Sequence, residues 1–281
     1  MDGLLDPLNY DFMRQALLAS LLVGILCPVV GTYLIVQRMA MLGDVVAHGV
    51  LPGLAIASFF HLPLLLGAFA MGLLSTAAIA WIRTQSRIKV DTAMAITFST
   101  FFSLGITLLT VFRSRISLEQ MLFGDILSIN TTDVWQIALI ALLVLAGVKL
   151  FYKELLFFTF DPLGAEALGL PVNAINLGLM AAITLAIIAG IKTVGVILVV
   201  ALMVGPAATA YLLVKELHWM MALGALFGVL FGAIGMYSSY YLDIPSGPAI
   251  GLTVFVGFLL ALLFSPRQGV LTRKLRIRST R

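Results

Sequence analysis

The chain has 281 residues, of which 61% are hydrophobic and only 11% charged, whereas a water-soluble domain carries about one quarter charged residues. With a mean hydropathy of +1.11 and apolar character running from Phe12 to Phe264, a soluble fold with one membrane anchor is excluded; the expectation is an all-α polytopic membrane protein. The net charge of +4 does not mark a nucleic-acid binder, because six of the seventeen basic residues (Arg267, Arg273, Lys274, Arg276, Arg278, Arg281) follow Ser265 and read as a solvated tail beside a membrane.

The N-terminal stretch MDGLLDPLNYDF is acidic and lacks the basic region of a secretory leader, so no cleaved leader is expected. Apolar runs between polar or Gly/Pro punctuation then place spans at about 12–36, 40–60, 64–82, 92–112, 133–151, 172–190, 193–213, 219–241 and 247–264. Each is near the roughly 20 residues that cross a bilayer. The link His61-Leu62-Pro63 is very short and Lys192 barely separates two runs, so eight spans is the alternative to nine. Residues 1–266 read as one transmembrane domain and 267–281 as a basic cytoplasmic tail. Cys27, alone and beside Pro28 in an apolar run, reads as a small core residue and excludes a thiolate cluster or an intrachain disulfide.

Orientation follows from the basic residues. With nine alternating spans and the tail inside, thirteen of the seventeen fall on the inner side, among them Arg38, Arg83, Arg87, Lys89, Lys149, Lys153 and Lys215. Arg14, Arg113, Arg115 and Lys192 fall outside, together with most of the carboxylates. The N-terminus is therefore expected outside and the C-terminus in the cytoplasm.

One ionisable pair stands within a span. Asp44 and His48 lie four residues apart in MAMLGDVVAHGVLPGLAIASFF, one helical turn apart on a shared face. Charge at membrane depth is costly and by default marks an ion or substrate path. A carboxylate with an imidazole is half a ligand set for a divalent metal; two copies packed about a two-fold axis would offer up to four ligands. The plainer alternative is a helix–helix hydrogen bond that fixes packing.

Two connections exceed a simple turn. In the outer one, Arg113 to Asp133, the stretch Leu118 to Ile129 has a helical pattern, and Glu119, Asp125 and Asp133 read as solvated or partner-facing. In the inner one, Asp161-Pro162 starts a short helix and Gly169 with Pro171 ends it. That helix is either a docking element or an ordinary capped linker. Asp243, before Ile244-Pro245-Ser246-Gly247 at the outer mouth, either attracts a cation or serves locally, capping the next helix or forming the turn. Gly205-Pro206 sits inside a span and invites a kink, as do Pro28 and Gly31 in the first. His61 and His218 read as interfacial. The twelve methionines form no MxxM-type set, which argues against a copper route.

Four stretches are similar in sequence and order to one known family: QRMAMLGDVVAHGVLPGLAIA (Gln37–Ala57), FTFDPLGAEALGLPV (Phe158–Val172), VGVILVVALMVGPAATAYLL (Val194–Leu213) and SSYYLDIPSGPAIGL (Ser238–Leu252). Over roughly residues 10 to 265 the chain resembles the permease subunits of bacterial manganese/zinc/iron ABC importers. The resemblance implies a plasma-membrane fold like that of the vitamin B12-type importers with one helix fewer, which favours nine spans. It implies a second copy of the chain, two cytoplasmic ATPase subunits and an extracytoplasmic metal-binding protein as partners. Asp44 and His48 become metal ligands of the transport path. The segment Asp161, Pro162, Leu163, Gly164, Ala165, Glu166, Ala167, Leu168, Gly169 and Leu170 becomes the coupling helix that docks into an ATPase.

No cofactor is expected to be permanently bound, only cargo, and no covalent chemistry: the chain carries no GxxxxGK[ST] loop and no HExxH. Oxygen plus nitrogen ligation without thiolate suits manganese first and zinc next. The GVLPG stretch after His48 is similar to the manganese branch, and FGDILSI (Phe123–Ile129) to zinc-type relatives. The rival reading is an ion-coupled secondary transporter in which Asp44 and His48 relay protons or metal without an ATPase.

Overall fold

In the computed structural model, described for residues 9–113, 122, 124, 129–265 and 269, the apolar runs become helices: α1 (Asp11–Val36), α2 (Leu42–Gly49), α3 (Leu51–Phe59), α4 (Leu64–Gln85), α5 (Val90–Val111), α6 (Thr131–Leu150), α7 (Tyr152–Phe160), α8 (Pro162–Ala167), α9 (Val172–Leu213), α10 (Leu217–Leu242) and α11 (Ser246–Phe264). Among the described residues there are no strands and nine stretches long and apolar enough to span a membrane. Helix is forced in such stretches, since in hydrocarbon each backbone polar group must find its partner within the segment. The eight-span alternative is thereby set aside. The stretch Leu118 to Ile129, with Glu119 and Asp125, lies outside the described residues apart from Leu122, Gly124 and Ile129, and so does the basic tail.

One span is divided and one long helix holds two spans, each for a readable reason. The second is the pair α2–α3, divided at Val50. Pro52 has no N–H to give to the carbonyl four residues back, which belongs to His48. The break therefore falls one residue pair above the ionisable layer. The other is α9, 42 residues long, which as a straight rod would measure about 63 Å, twice a hydrocarbon core. Gly195 adopts φ 79° and ψ 163° in its middle, a conformation open almost only to glycine. A Cβ on Gly190 would strike the Val199 side chain, yet nine residues of straight helix would separate the two by about 13 Å. The chain thus reverses at Gly195, and α9 is a hairpin of two spans, Val172–Ile191 and Val194–Leu213.

The hairpin is the hub of the fold. It packs against α1, α2, α4, α6, α10 and α11, and α1 packs in turn on α10. Backbones approach closely where glycines face one another: a Cβ on Gly24 would meet the Gly228 carbonyl of α10, one on Gly31 the Met203 carbonyl of α9, and Gly53 of α3 opposes Gly67 of α4 in the same way. Between membrane helices, where lipid gives no hydrophobic drive, such close approach supplies the packing. Cys27 is fully buried with Sγ near the Ala186 carbonyl, as expected of a core residue. The kink-prone prolines carry nearby threonines: Thr32 Oγ1 donates to the Pro28 carbonyl and Thr209 Oγ1 to the Gly205 carbonyl, each at 2.8 Å.

One expectation is corrected. Asp133 is not solvated; it is 5% exposed and forms a reciprocal cap with Asn130 at the start of α6. Asn130 Oδ1 accepts the Asp133 N–H at 3.0 Å and the Asp133 carboxylate accepts the Asn130 N–H at 3.3 Å. Both donors would otherwise be orphaned at a helix start.

Candidate metal path

α2 is an eight-residue helix of small and branched apolar residues, and only Asp44 and His48 on it can ionise. His48 Nδ1 lies 3.3 Å from Asp44 Oδ1 and 3.0 Å from the Asp44 carbonyl oxygen. The two side chains are thus one unit, as their spacing predicts. They differ in surroundings. Asp44 is 41% exposed and opens onto a cleft of about 560 Å³, whereas the His48 side chain is 13% exposed.

The cleft lies between the start of α2, the second limb of α9 and α11. Its walls are apolar (Val200, Val204, Val254, Phe255), and among the described residues Asp44 is the only ionisable one lining it. His48 does not line it; the ring is turned toward α5, where Phe98 and Phe102 meet it edge-on at centroid distances of 4.9 and 5.2 Å. The two phenyl rings are parallel to one another, so the imidazole is wedged against an aromatic ladder and held by Asp44 from the other side. A neutral imidazole with one nitrogen occupied by a neighbour keeps the other for a metal. Phe98 and Phe102 escaped the sequence reading, since only the α2–α5 contact gives an F-x-x-x-F pair any relation to a histidine fifty residues earlier. Pro52, four residues after His48, stood in the sequence inside a run read as one unbroken span, and its missing N–H is the local signal of the break.

Among the described residues no three of His, Cys, Asp and Glu cluster as a metal site. One copy therefore presents a single carboxylate at the edge of an open, apolar cleft, with the His48 ring behind it.

The remaining candidates fall elsewhere. Asp243 ends α10 in a left-handed conformation, φ 52°, ψ 44°, and Pro245, not Asp243, is the residue before α11; it makes the turn and does not cap the following helix. Asp161 caps α8, its Oδ1 accepting the Gly164 N–H at 2.9 Å. Gly169, at φ 79°, closes the helix, and the Leu170 N–H donates back to the Ala165 carbonyl at 3.0 Å. Leu163 and Leu168 are left 78% and 74% exposed. His61 is exposed, and His218 is exposed beside Glu216 at 3.3 Å. The side chain of Lys192 is outside the described residues.

Nine spans among the described residues, one of them interrupted next to a carboxylate–imidazole pair that borders an apolar cleft, describe a membrane protein of the permease class. The chain belongs to the ABC 3 transport family, which it matches over residues 9–265. It is 41% identical over 276 residues to the manganese transport system membrane protein MntC of Listeria monocytogenes, covering 98% of each chain. It is 37% identical over 273 residues to a Haemophilus influenzae protein named "Probable iron transport system membrane protein", covering 97% of each. Among solved structures, a chain of PsaBC from Streptococcus pneumoniae in complex with Fab superposes with a TM-score of 0.88 at 36% identity, over 99% of both chains.

Proposed function

We propose that this chain is the plasma-membrane permease subunit of an ATP-driven importer for a divalent first-row transition metal, manganese before zinc or iron. The observation that carries the reading is Asp44, a lone carboxylate at the edge of an apolar cleft with a histidine ring 3.3 Å away. A dication entering low dielectric needs an anionic partner, and a nitrogen donor beside it completes half a transport site. Manganese is favoured by oxygen and nitrogen donors without thiolate and by relatives named for manganese transport.

A second copy of the chain faces the first across α2 and α11, so that two Asp44/His48 pairs share one ion. Two ATPase subunits sit on the cytoplasmic side and take hold of residues 161–169, whose apolar Leu163 and Leu168 reach outward. An extracytoplasmic metal-binding protein delivers the ion, with the N-terminus on that outer side. ATP binding moves α8, and the two copies rock between outward- and inward-open states around the Asp44/His48 layer.

The test is metal uptake by proteoliposomes holding the full complex. Asp44→Asn and His48→Ala each lower manganese uptake by at least about tenfold, the order of loss seen when a metal site is deprived of support, while the subunits still co-purify. Normal uptake in either variant removes the site assignment.

A further inference from the structure

The ends of α1 and α4 and the start of α5 enclose a bowl of about 660 Å³ that has no part in the metal path. Arg38 from the end of α1 and Arg83, Arg87 and Lys89 from the α4–α5 junction converge on it, with Asp91 as the one carboxylate on its wall among the described residues. None of the four cations forms an ion pair among the described residues. Arg38 is held there in the left-handed backbone region, φ 58°, an arrangement uncommon for a residue with a side chain. Like charges gathered in one concavity repel unless an anion joins them.

We propose that this bowl binds the phosphate headgroup of an anionic phospholipid. The chemistry recognised is a phosphate monoanion or diester held by guanidinium forks. What points to a lipid as its source is depth and surroundings. Trp81, 66% exposed, stands just before Arg83 at the end of α4, where amphipathic rings mark headgroup level. α4 and α5 are among the least buried spans of the fold, and Leu74 on α4 is 53% exposed, so acyl chains would run along the same helix that ends in the bowl. The coupling segment, by contrast, offers apolar Leu163 and Leu168 and not this basic surface to a protein partner. Basic pockets between helix ends on the basic side of a membrane protein are suited to anionic headgroups. Gln37, on the bowl's wall, is within 3.4 Å of Thr159 Oγ1 in α7, one residue pair before α8, so a bound lipid would brace the segment next to the coupling helix. Only the assignment to the cytoplasmic leaflet rests on the orientation proposed above.

Lipid retention by the purified, delipidated full chain, followed by native mass spectrometry, tests the site with neither metal nor ATPase present; its failure would leave the transport reading untouched. Phosphatidylglycerol is retained on the order of tenfold better than phosphatidylcholine, about the effect of one or two basic contacts at a membrane surface. The preference disappears in R83Q/R87Q/K89Q and persists in K149Q/K153Q, which removes basic residues outside the bowl. Should the triple variant fail to fold, R87Q alone decides: it weakens the preference several-fold. An unchanged preference in the triple or single variant overturns the proposal. So does displacement of the lipid by low-millimolar inorganic phosphate, which would make this a site for a soluble anion. Loss of ATPase association in R83Q/R87Q/K89Q with lipid retention intact would assign the surface to a protein partner and equally overturn it.

Discussion

Asp44 reaches into an open cleft while His48, one turn further on, is wedged between its own helix and the phenyl rings of Phe98 and Phe102. The pair's existence was legible from sequence, because a carboxylate and an imidazole four residues apart in an apolar run leave little choice of face. Its asymmetry was not, since it depends on which neighbours α5 and α9 bring across from distant parts of the chain. Asp133 shows the opposite failure: N-x-x-D before an apolar run is itself a capping signal, and the solvated reading overlooked it. Pro52 gives a prediction at this scale. Pro52→Ala returns an N–H to the His48 carbonyl and lets α2 and α3 join, shifting the pair against the cleft. Uptake falls by about tenfold or more, the loss expected from displacement of order an ångström at a working site, while the thermal unfolding midpoint holds. Unaltered uptake would mean that the break does not position His48.

At the scale of elements, the boundaries of the spans were readable from hydropathy and punctuation, and the hairpin in α9 only in outline. Lys192 suggested a link between two runs, but the reversal belongs to Gly195, three residues later. One glycine in an apolar stretch carries no local mark of its backbone angles. Gly195→Ala places a methyl group where the backbone is nearly closed to it, costing roughly 1–3 kcal/mol; a lowered unfolding midpoint in detergent is the expected result, and no change would show that the turn tolerates side chains. In α8 the sequence signals were strong, with Asp-Pro at one end and Gly-x-Pro at the other, and the observed cap, helix and left-handed glycine follow them. Asp161→Ala removes a cap worth about 0.5–2 kcal/mol from a six-residue helix. ATP hydrolysis by the assembled complex should persist while its transport per ATP falls. Full coupling would deny α8 its transmitting role.

For the whole molecule, charge asymmetry, span count and motif order were all present in the sequence, whereas the cleft was not, because it needs three elements to be placed in space. That cleft is open on one side, between α2, α9 and α11, and α11 is the least buried span. The proposed closure by a second copy would place Phe255, on the cleft wall, near the two-fold axis. Phe255→Cys should therefore form a copy-to-copy disulfide in membranes under mild oxidation, with Cys27 too deeply buried to interfere. Phe60→Cys, at an exposed span end away from the cleft, should not. Absence of the Phe255→Cys cross-link in an assembled transporter would place the dimer contact elsewhere.

The facing glycines have a consequence for motion. Where Gly24 meets Gly228 and Gly31 meets Met203, main chain presses on main chain, with no long side chains between them to swap rotamers and absorb a slide. α1, α10 and the α9 hairpin are thereby clamped into one stiff plate, and α3 with α4 into a smaller one. Such plates favour movement as units over a ripple passing from helix to helix. On the proposed function, the motion would be a tilt of whole plates with deformation at the seams, and the α2 segment that bears the carboxylate packs between α9, α4 and α5, where the plates adjoin.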